Sequence, residues 1–203
     1  MNTITLLHGT DHIIEVPDIN IGNEHNDYGK GFYCTRSEEM AKEWACKQNT
    51  DGFINRYELN TKGLKILNLT DGNHTVLNWI ALLLKYRTFK LSSEIAVDAR
   101  DYIIEHYSVD TSIYDVIVGY RADDSYFRYA ESFVSNGLPL RSLNQALKLG
   151  NLGEQTVLVS QKAFDRIKFT DASPVEKNIY YPKFLNRDLA ARKTYRQEIK
   201  KSK

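Results

Sequence analysis

The chain has little of what staples, anchors or breaks a fold. Its 203 residues include two cysteines, Cys34 and Cys46. That excludes a disulfide framework and a cysteine-rich zinc module. Four prolines and eleven glycines are too few for a collagen-like or wholly disordered chain. The longest apolar run, Trp79 to Leu84, is six residues, against about twenty for a bilayer span. No charge dominates: 27 basic residues face 26 acidic ones, net +1. That excludes a uniformly basic nucleic-acid coat. The start, from Met1 to His12, lacks the basic segment and apolar stretch of a signal peptide. A cytoplasmic protein without a membrane role is the expectation.

What is present suits one domain with a real core, at 42% hydrophobic residues. Thr3–His8 reads as a first strand. Residues 9–31 carry Pro17, Gly22, Gly29 and Gly31 among Asn and Asp, and read as a long loop. Loops of that length in compact domains are often binding loops. Thr35-Arg36-Ser37-Glu38 matches a capping box before an apolar helical pattern. Phe53–Leu59 and Leu64–Leu69 read as strands, Asn73–Phe89 and Ser93–Tyr107 as helices. Val116–Tyr120 is a buried strand, followed by helices at Asp124–Ser135 and Ser142–Leu149. Thr156–Val159 and Ile167–Thr170 are late strands, and Leu185–Lys201 is a terminal helix with Asn186 as its cap. Strands at both ends with helices between them predict an α+β fold. From Arg187 to Lys203 the chain carries +5, leaving −4 on residues 1–186. Such a tail suits RNA, DNA or an acidic partner; a solvated helix face is the plainer reading and the preferred one.

Motifs for chemistry are sparse. His8 and His12 are four apart, but Gly9 and the β-character before it argue against a helix that would join them on a metal. No third ligand follows in frame, and no metal is expected. Gly29-Lys30-Gly31 lacks the Ser or Thr that a phosphate loop needs after its Lys. There is no nucleophile elbow, and Cys34 has no histidine partner in sequence.

The combination says more. Leu7-His8-Gly9-Thr10 is followed by the loop, then by Tyr28-Gly29-Lys30-Gly31-Phe32-Tyr33-Cys34-Thr35, then by a helix bearing Trp44. Here the chain resembles the ADP-ribosyltransferase superfamily, most closely the branch that includes poly(ADP-ribose) polymerases. That branch has a His-Gly strand end, a Gly-Lys-Gly-aromatic-Tyr segment and an aromatic residue eleven positions after the Tyr. Trp44 is the eleventh residue after Tyr33. The whole chain is similar to a bacterial family of that superfamily, domain of unknown function 3990. Asp115 to Gly119, Ala122-Asp123-Asp124 and Gln155 to Ser160 fit that pattern.

The resemblance covers about residues 4 to 172 and implies a split β-sheet core. It implies a catalytic domain at 1–172 with a helical insertion at about 73–107, and a C-terminal extension with a basic helix at 173–203. It implies NAD as substrate in a cleft between two small sheets. His8 would meet the nicotinamide-side ribose hydroxyls, and Gly9 would pair by its backbone with the nicotinamide amide. Tyr33 and Trp44 would flank the nicotinamide ring, each contact worth about 0.5–2 kcal/mol. Thr10, Gly31 and Arg121 would complete the NAD site. Arg121, Asp123 and Asp124 could instead cap a helix. A late-strand carboxylate would stabilise the positive charge that grows as the glycosidic bond breaks. Glu154 has that chemistry; alignment on Val159-Ser160 puts Gln155 in its frame. Adjacent strand residues face opposite ways, so the two are alternatives, with Glu154 preferred for its charge. Gln145 and Asn151 lie where the superfamily places acceptor recognition.

The expected function is therefore a mono-ADP-ribosyltransferase that releases nicotinamide and modifies a protein or nucleic acid. The resemblance places it among bacterial toxins and defence effectors, with an antitoxin as partner. The alternatives are a non-catalytic nucleotide- or partner-binding module and an NAD glycohydrolase.

Overall fold

Alternation along the first strand decides the layering. In the computed structural model, which describes residues 2–122, 124–143 and 153–201, β1 is Thr3–Thr10. Its even residues face one way and its odd residues the other. Leu6 packs with Phe32, Tyr57, Leu59, Leu158 and Phe164 in a core between two sheets. Leu7 packs with Ala41, Ala45, Ile54 and Val175 on the opposite face.

The remaining strands are β2 (Phe32–Cys34), β3 (Gly52–Asn60), β4 (Ile66–Asn68), β5 (Val116–Tyr120), β6 (Glu154–Leu158) and β7 (Ile167–Val175). The helices are α1 (Glu38–Ala45), α2 (Val76–Tyr86), α3 (Glu94–Tyr107), α4 (Asp124–Val134), the four-residue α5 (Gln161–Phe164) and α6 (Lys177–Lys201). One sheet has the order β1-β3-β7 and the other β2-β6-β5-β4. All pairings are antiparallel except β4 with β5. The fold is mixed α+β with two small sheets.

Helix α1 lies on the first sheet so closely that side chains are excluded from part of the contact. A Cβ on Gly9 would stand 1.9 Å from the Ala41 carbonyl oxygen. Helix α2 is buried on nearly every side, with Trp79 through Leu84 all in the core. That explains an apolar run without a polar stripe. It packs against the second sheet with Leu67, Ile117 and Val157, under α3 and α4. Helices α2 and α3 occupy the range, about 73–107, where the resemblance implies a helical insertion. Among the described residues no helix is long and apolar enough to cross a membrane.

Three readings of local structure change. Ser37, not Thr35, caps α1, accepting from the Met40 N–H at 3.4 Å. Thr35 is buried and donates to the Glu154 carbonyl at 3.1 Å, so tertiary contact removes it from the cap. Strand β7 runs to Val175, so a boundary at 172 would cut a strand. Helix α6 begins at Lys177, eight residues before the expected start at Leu185, and contains Pro182. Its first half is held by Lys183–Glu39 (2.9 Å) and Arg187–Glu43 (2.6 Å) ion pairs to α1. Further along, the Tyr129 hydroxyl donates to the Ala191 carbonyl at 3.1 Å. The expected C-terminal extension thus packs onto the rest of the chain from the end of β7 through Ala191. The short helix expected at Ser142–Leu149 is described only through residue 143, within a helical stretch at 140–143.

Gly9→Ala is expected to destabilise the protein by about 3 kcal/mol, the upper range for forced overpacking. A urea melt checks it; an unchanged midpoint would mean that α1 does not pack this closely.

Candidate active site

Leu7 and Thr35 exchange two backbone hydrogen bonds, both 2.8 Å, in an isolated bridge between the two sheets. Beyond it β1 and β2 diverge, and a cavity of about 490 Å³ opens between them. Its volume suits a small-molecule ligand. His8 enters from β1, Phe32 and Tyr33 from β2, Trp44 from α1, and Gln155 from β6. Arg121 and Ala122 follow β5, and Phe184 reaches in from α6.

The His8 Nδ1 lies 2.7 Å from the Tyr33 carbonyl. A carbonyl only accepts, so Nδ1 carries the proton and Nε2 keeps its lone pair. Burial lowers the His8 pKa from the usual 6.5, against the Tyr33 hydrogen bond, with His12 lowering it further. The ring is neutral at pH 7 and presents an acceptor. It stacks at 4.6 Å on Phe32, tilted by 33°.

The Tyr33 hydroxyl is committed to structure. It donates to the Gly29 carbonyl at 2.6 Å and accepts from the Tyr28 N–H at 3.1 Å. Burial raises its pKa, so what it brings to the cavity is a neutral ring. The Arg121 guanidinium sits 4.8 Å over the Trp44 ring, and both residues line the cavity. Trp44 Nε1 is buried with no hydrogen-bond partner among the described residues.

Register settles which late-strand residue faces the cavity. Tyr33 pairs with Val157, and directly paired residues share a face. Two residues from Val157, Gln155 is on that same face, 3% exposed. Glu154 is on the other face, outside the cavity, accepting from the Thr70 hydroxyl at 2.6 Å. The preference for Glu154 on charge is thus corrected: the inward residue is an amide.

Two expected NAD-site residues also shift in meaning. The side of Gly9 that lacks a Cβ is filled by α1, not by a ligand. Leu7 points its N–H and C=O away from β3 to Thr35, and Gly9, two residues on, points the same way toward the cleft. Thr10 does not line the cavity; its hydroxyl donates to Asp11 at 3.4 Å. Gly31 does line it, and a Cβ there would stand 2.7 Å from the Leu158 carbonyl oxygen. Asp123, Gln145 and Asn151 lie outside the described residues.

Sequence reasoning missed Asp27 and Arg87. The expected binding loop does line the cavity, with Ile14, Ile21, Gly22, Asn26 and Asp27. It is anchored to the first sheet by Asn55, whose Oδ1 accepts from Ile14 N at 2.9 Å, and by the Tyr57 hydroxyl on the Ile14 carbonyl at 2.6 Å. Nothing in the spacing separates Asp27 from Asp11 or Asp18 of the same loop. Arg87 stands at the α2 C-cap, where a basic residue reads as ordinary dipole compensation. In the fold it pairs with Asp27 at 2.9 Å and covers the Phe127 ring at 4.6 Å.

A lowered histidine pKa makes stability depend on pH with a definite sign. Below 6.5 the unfolded chain takes up the His8 proton before the folded protein does, so stability falls on acidification until the folded pKa is passed. Between about pH 7 and 5.5, the urea midpoint of His8→Gln is expected to fall less than that of the wild type. Equal slopes would mean that His8 is not held neutral.

No curated protein and no solved structure matches the chain. One family model does, over residues 4–169, from β1 into β7, and so includes strands of both sheets, helices α2 and α3 and every strand that lines the cleft. The chain belongs to the family described as Protein of unknown function (DUF3990).

Proposed function

We propose that this chain is an NAD-dependent mono-ADP-ribosyltransferase on an ADP-ribosyltransferase-like split-sheet fold. The observation that carries the reading is convergence. His8, Tyr33, Trp44 and Gln155 come from four separate elements and line one cavity where two sheets part.

Each group suits one part of the reaction. The edge of β1 at Gly9 offers an N–H and a C=O side by side, the complement of a primary carboxamide. The Tyr33 and Trp44 rings suit a flat cationic ring. Arg121 would leave the Trp44 face as that cation arrives. The His8 Nε2 would accept from a ribose hydroxyl, and Gln155 would hold the neighbouring one. When the bond between ribose C1′ and the nicotinamide nitrogen breaks, its electron pair leaves with nicotinamide, which becomes neutral. The ribose carries the positive charge until an acceptor lone pair closes the new bond and the acceptor loses its proton.

The second reading is a non-catalytic nucleotide-binding module of the same fold. The uncharged Gln155 and the arginine already on Trp44 favour it.

Nicotinamide release from NAD by the purified protein, with and without cell extract, tests the proposal. Release that requires extract is expected. It falls about two- to tenfold in Tyr33→Ala, the worth of one stacking face, and is unchanged in Glu154→Ala. Extract-independent release would indicate a glycohydrolase. Binding of NAD without release would favour the second reading.

The acceptor is a macromolecule on this proposal, and α6 bears on its class. Arg187 and Arg192 are paired with Glu43 and Asp188. Lys193, Arg196 and Lys200 are exposed. If the acceptor is a nucleic acid, reversing those three charges weakens its binding and flattens the salt dependence by about three phosphate contacts. Unchanged binding would exclude that use of the helix.

A further inference from the structure

The cavity holds a carboxylate that no strand supplies. Asp27 is the only acid among the described residues that line it, and it is 5% exposed. Both oxygens are engaged. Oδ1 accepts from Arg87 at 2.9 Å, and Oδ2 accepts from the Ala122 N–H at 2.8 Å and from Gln155 Nε2 at 2.9 Å. Burying a carboxylate among apolar groups is costly. Here three donors on two oxygens offset that cost, and an asparagine, with one acceptor oxygen, could not serve both Arg87 and the Ala122–Gln155 side.

The consequence falls on Gln155. Its amide nitrogen has two hydrogens and two acceptors, Asp27 Oδ2 at 2.9 Å and the Tyr120 carbonyl at 3.3 Å. That fixes which end of the amide is the donor and leaves Oε1 as the end that can accept from a ligand. The Tyr120 carbonyl is itself fixed, accepting from the Tyr28 hydroxyl at 2.7 Å and from Trp79 Nε1 at 3.1 Å.

We propose that Asp27 and Gln155 together take the part of the single late-strand carboxylate: Gln155 Oε1 holds the ribose hydroxyl, and the Asp27 charge, one hydrogen bond behind it, polarises the amide and stabilises the cationic ribose. The inference rests on the transferase reading. Asp27 is then a positioning residue, acting through Gln155 as the C1′–nitrogen bond opens and its electron pair leaves with nicotinamide. Burial raises the Asp27 pKa, opposed by the Ala122 and Gln155 hydrogen bonds and by the charges of Arg87 and Arg121. The Arg87 guanidinium, 2.9 Å from Oδ1, favours the anion.

The test compares the wild type with Asp27→Asn, Gln155→Ala and their double, and with Asp27→Asn/Gln155→Glu, by steady-state nicotinamide release and calorimetric NAD binding. Asp27→Asn is expected to lower kcat about 100-fold with NAD affinity little changed, as for loss of one preorganised electrostatic group. It costs nothing further once Gln155 is Ala. Asp27→Asn/Gln155→Glu, which moves the carboxylate onto β6 beside Tyr33, recovers at least about tenfold of the loss. If Asp27→Asn does not fold, Asp27→Ser removes the same charge with room for water and carries the same expectation. Retained kcat in a folded Asp27 variant, additive losses in the double, or no recovery in a folded Asp27→Asn/Gln155→Glu overturns the inference alone. A wild type that does not turn over NAD overturns the transferase reading and this inference with it.

Discussion

Two backbone hydrogen bonds between Leu7 and Thr35 hold the edges of the two sheets together, and the pairing stops there. A longer ladder would merge β1 and β2 into one sheet and close the gap between them. A missing one would leave two sheets joined only by side chains. Because the strands meet once and then part, His8 and Tyr33 can face a shared space. The His8–Tyr33 hydrogen bond at 2.7 Å spans the start of that gap. The close seat of α1 on the first sheet, which Gly9 permits, brings Trp44 to the same opening.

The gap is lined by polar groups that depend on one another. The Tyr120 carbonyl accepts from Tyr28, Trp79 and Gln155, and Asp27 accepts from Arg87, Ala122 and Gln155. Such a network is stable only when nearly every member is satisfied. It fastens the loop before β2 to the ends of β5 and β6. The loop, which has no strand or helix of its own, is tied there through Asp27. Its other end is held by Asn55 and Tyr57 of β3. A binding loop fixed at both ends can present Asp27 in a defined position.

Much of the fold was legible locally. Short apolar, β-prone runs located β1 and β5, and apolar spacing located α1 and α3, because such patterns are written in neighbouring residues. Elements whose bounds depend on partners were harder to read. β7 continues to Val175 because β3 is there to pair with it. α6 continues through Pro182 while ion pairs from Lys183 and Arg187 hold it to α1. Thr35 gave up its cap because β6 lay within reach.

The site divides the same way. The sequence by itself determined which residue types stand at the strand end, on the next strand and on the following helix: His8, Tyr33 and Trp44. Those are short-range patterns, written in consecutive residues. Only the tertiary structure decided that Gln155 and not Glu154 faces them, because strand register moves every side chain by 180° per residue and is set by the partner strand. It alone joined Asp27 to Gln155 across 128 positions. A carboxylate in a loop gives no sign of its partners until the loop is fastened down, since its charge and spacing alone fit a solvated turn equally well.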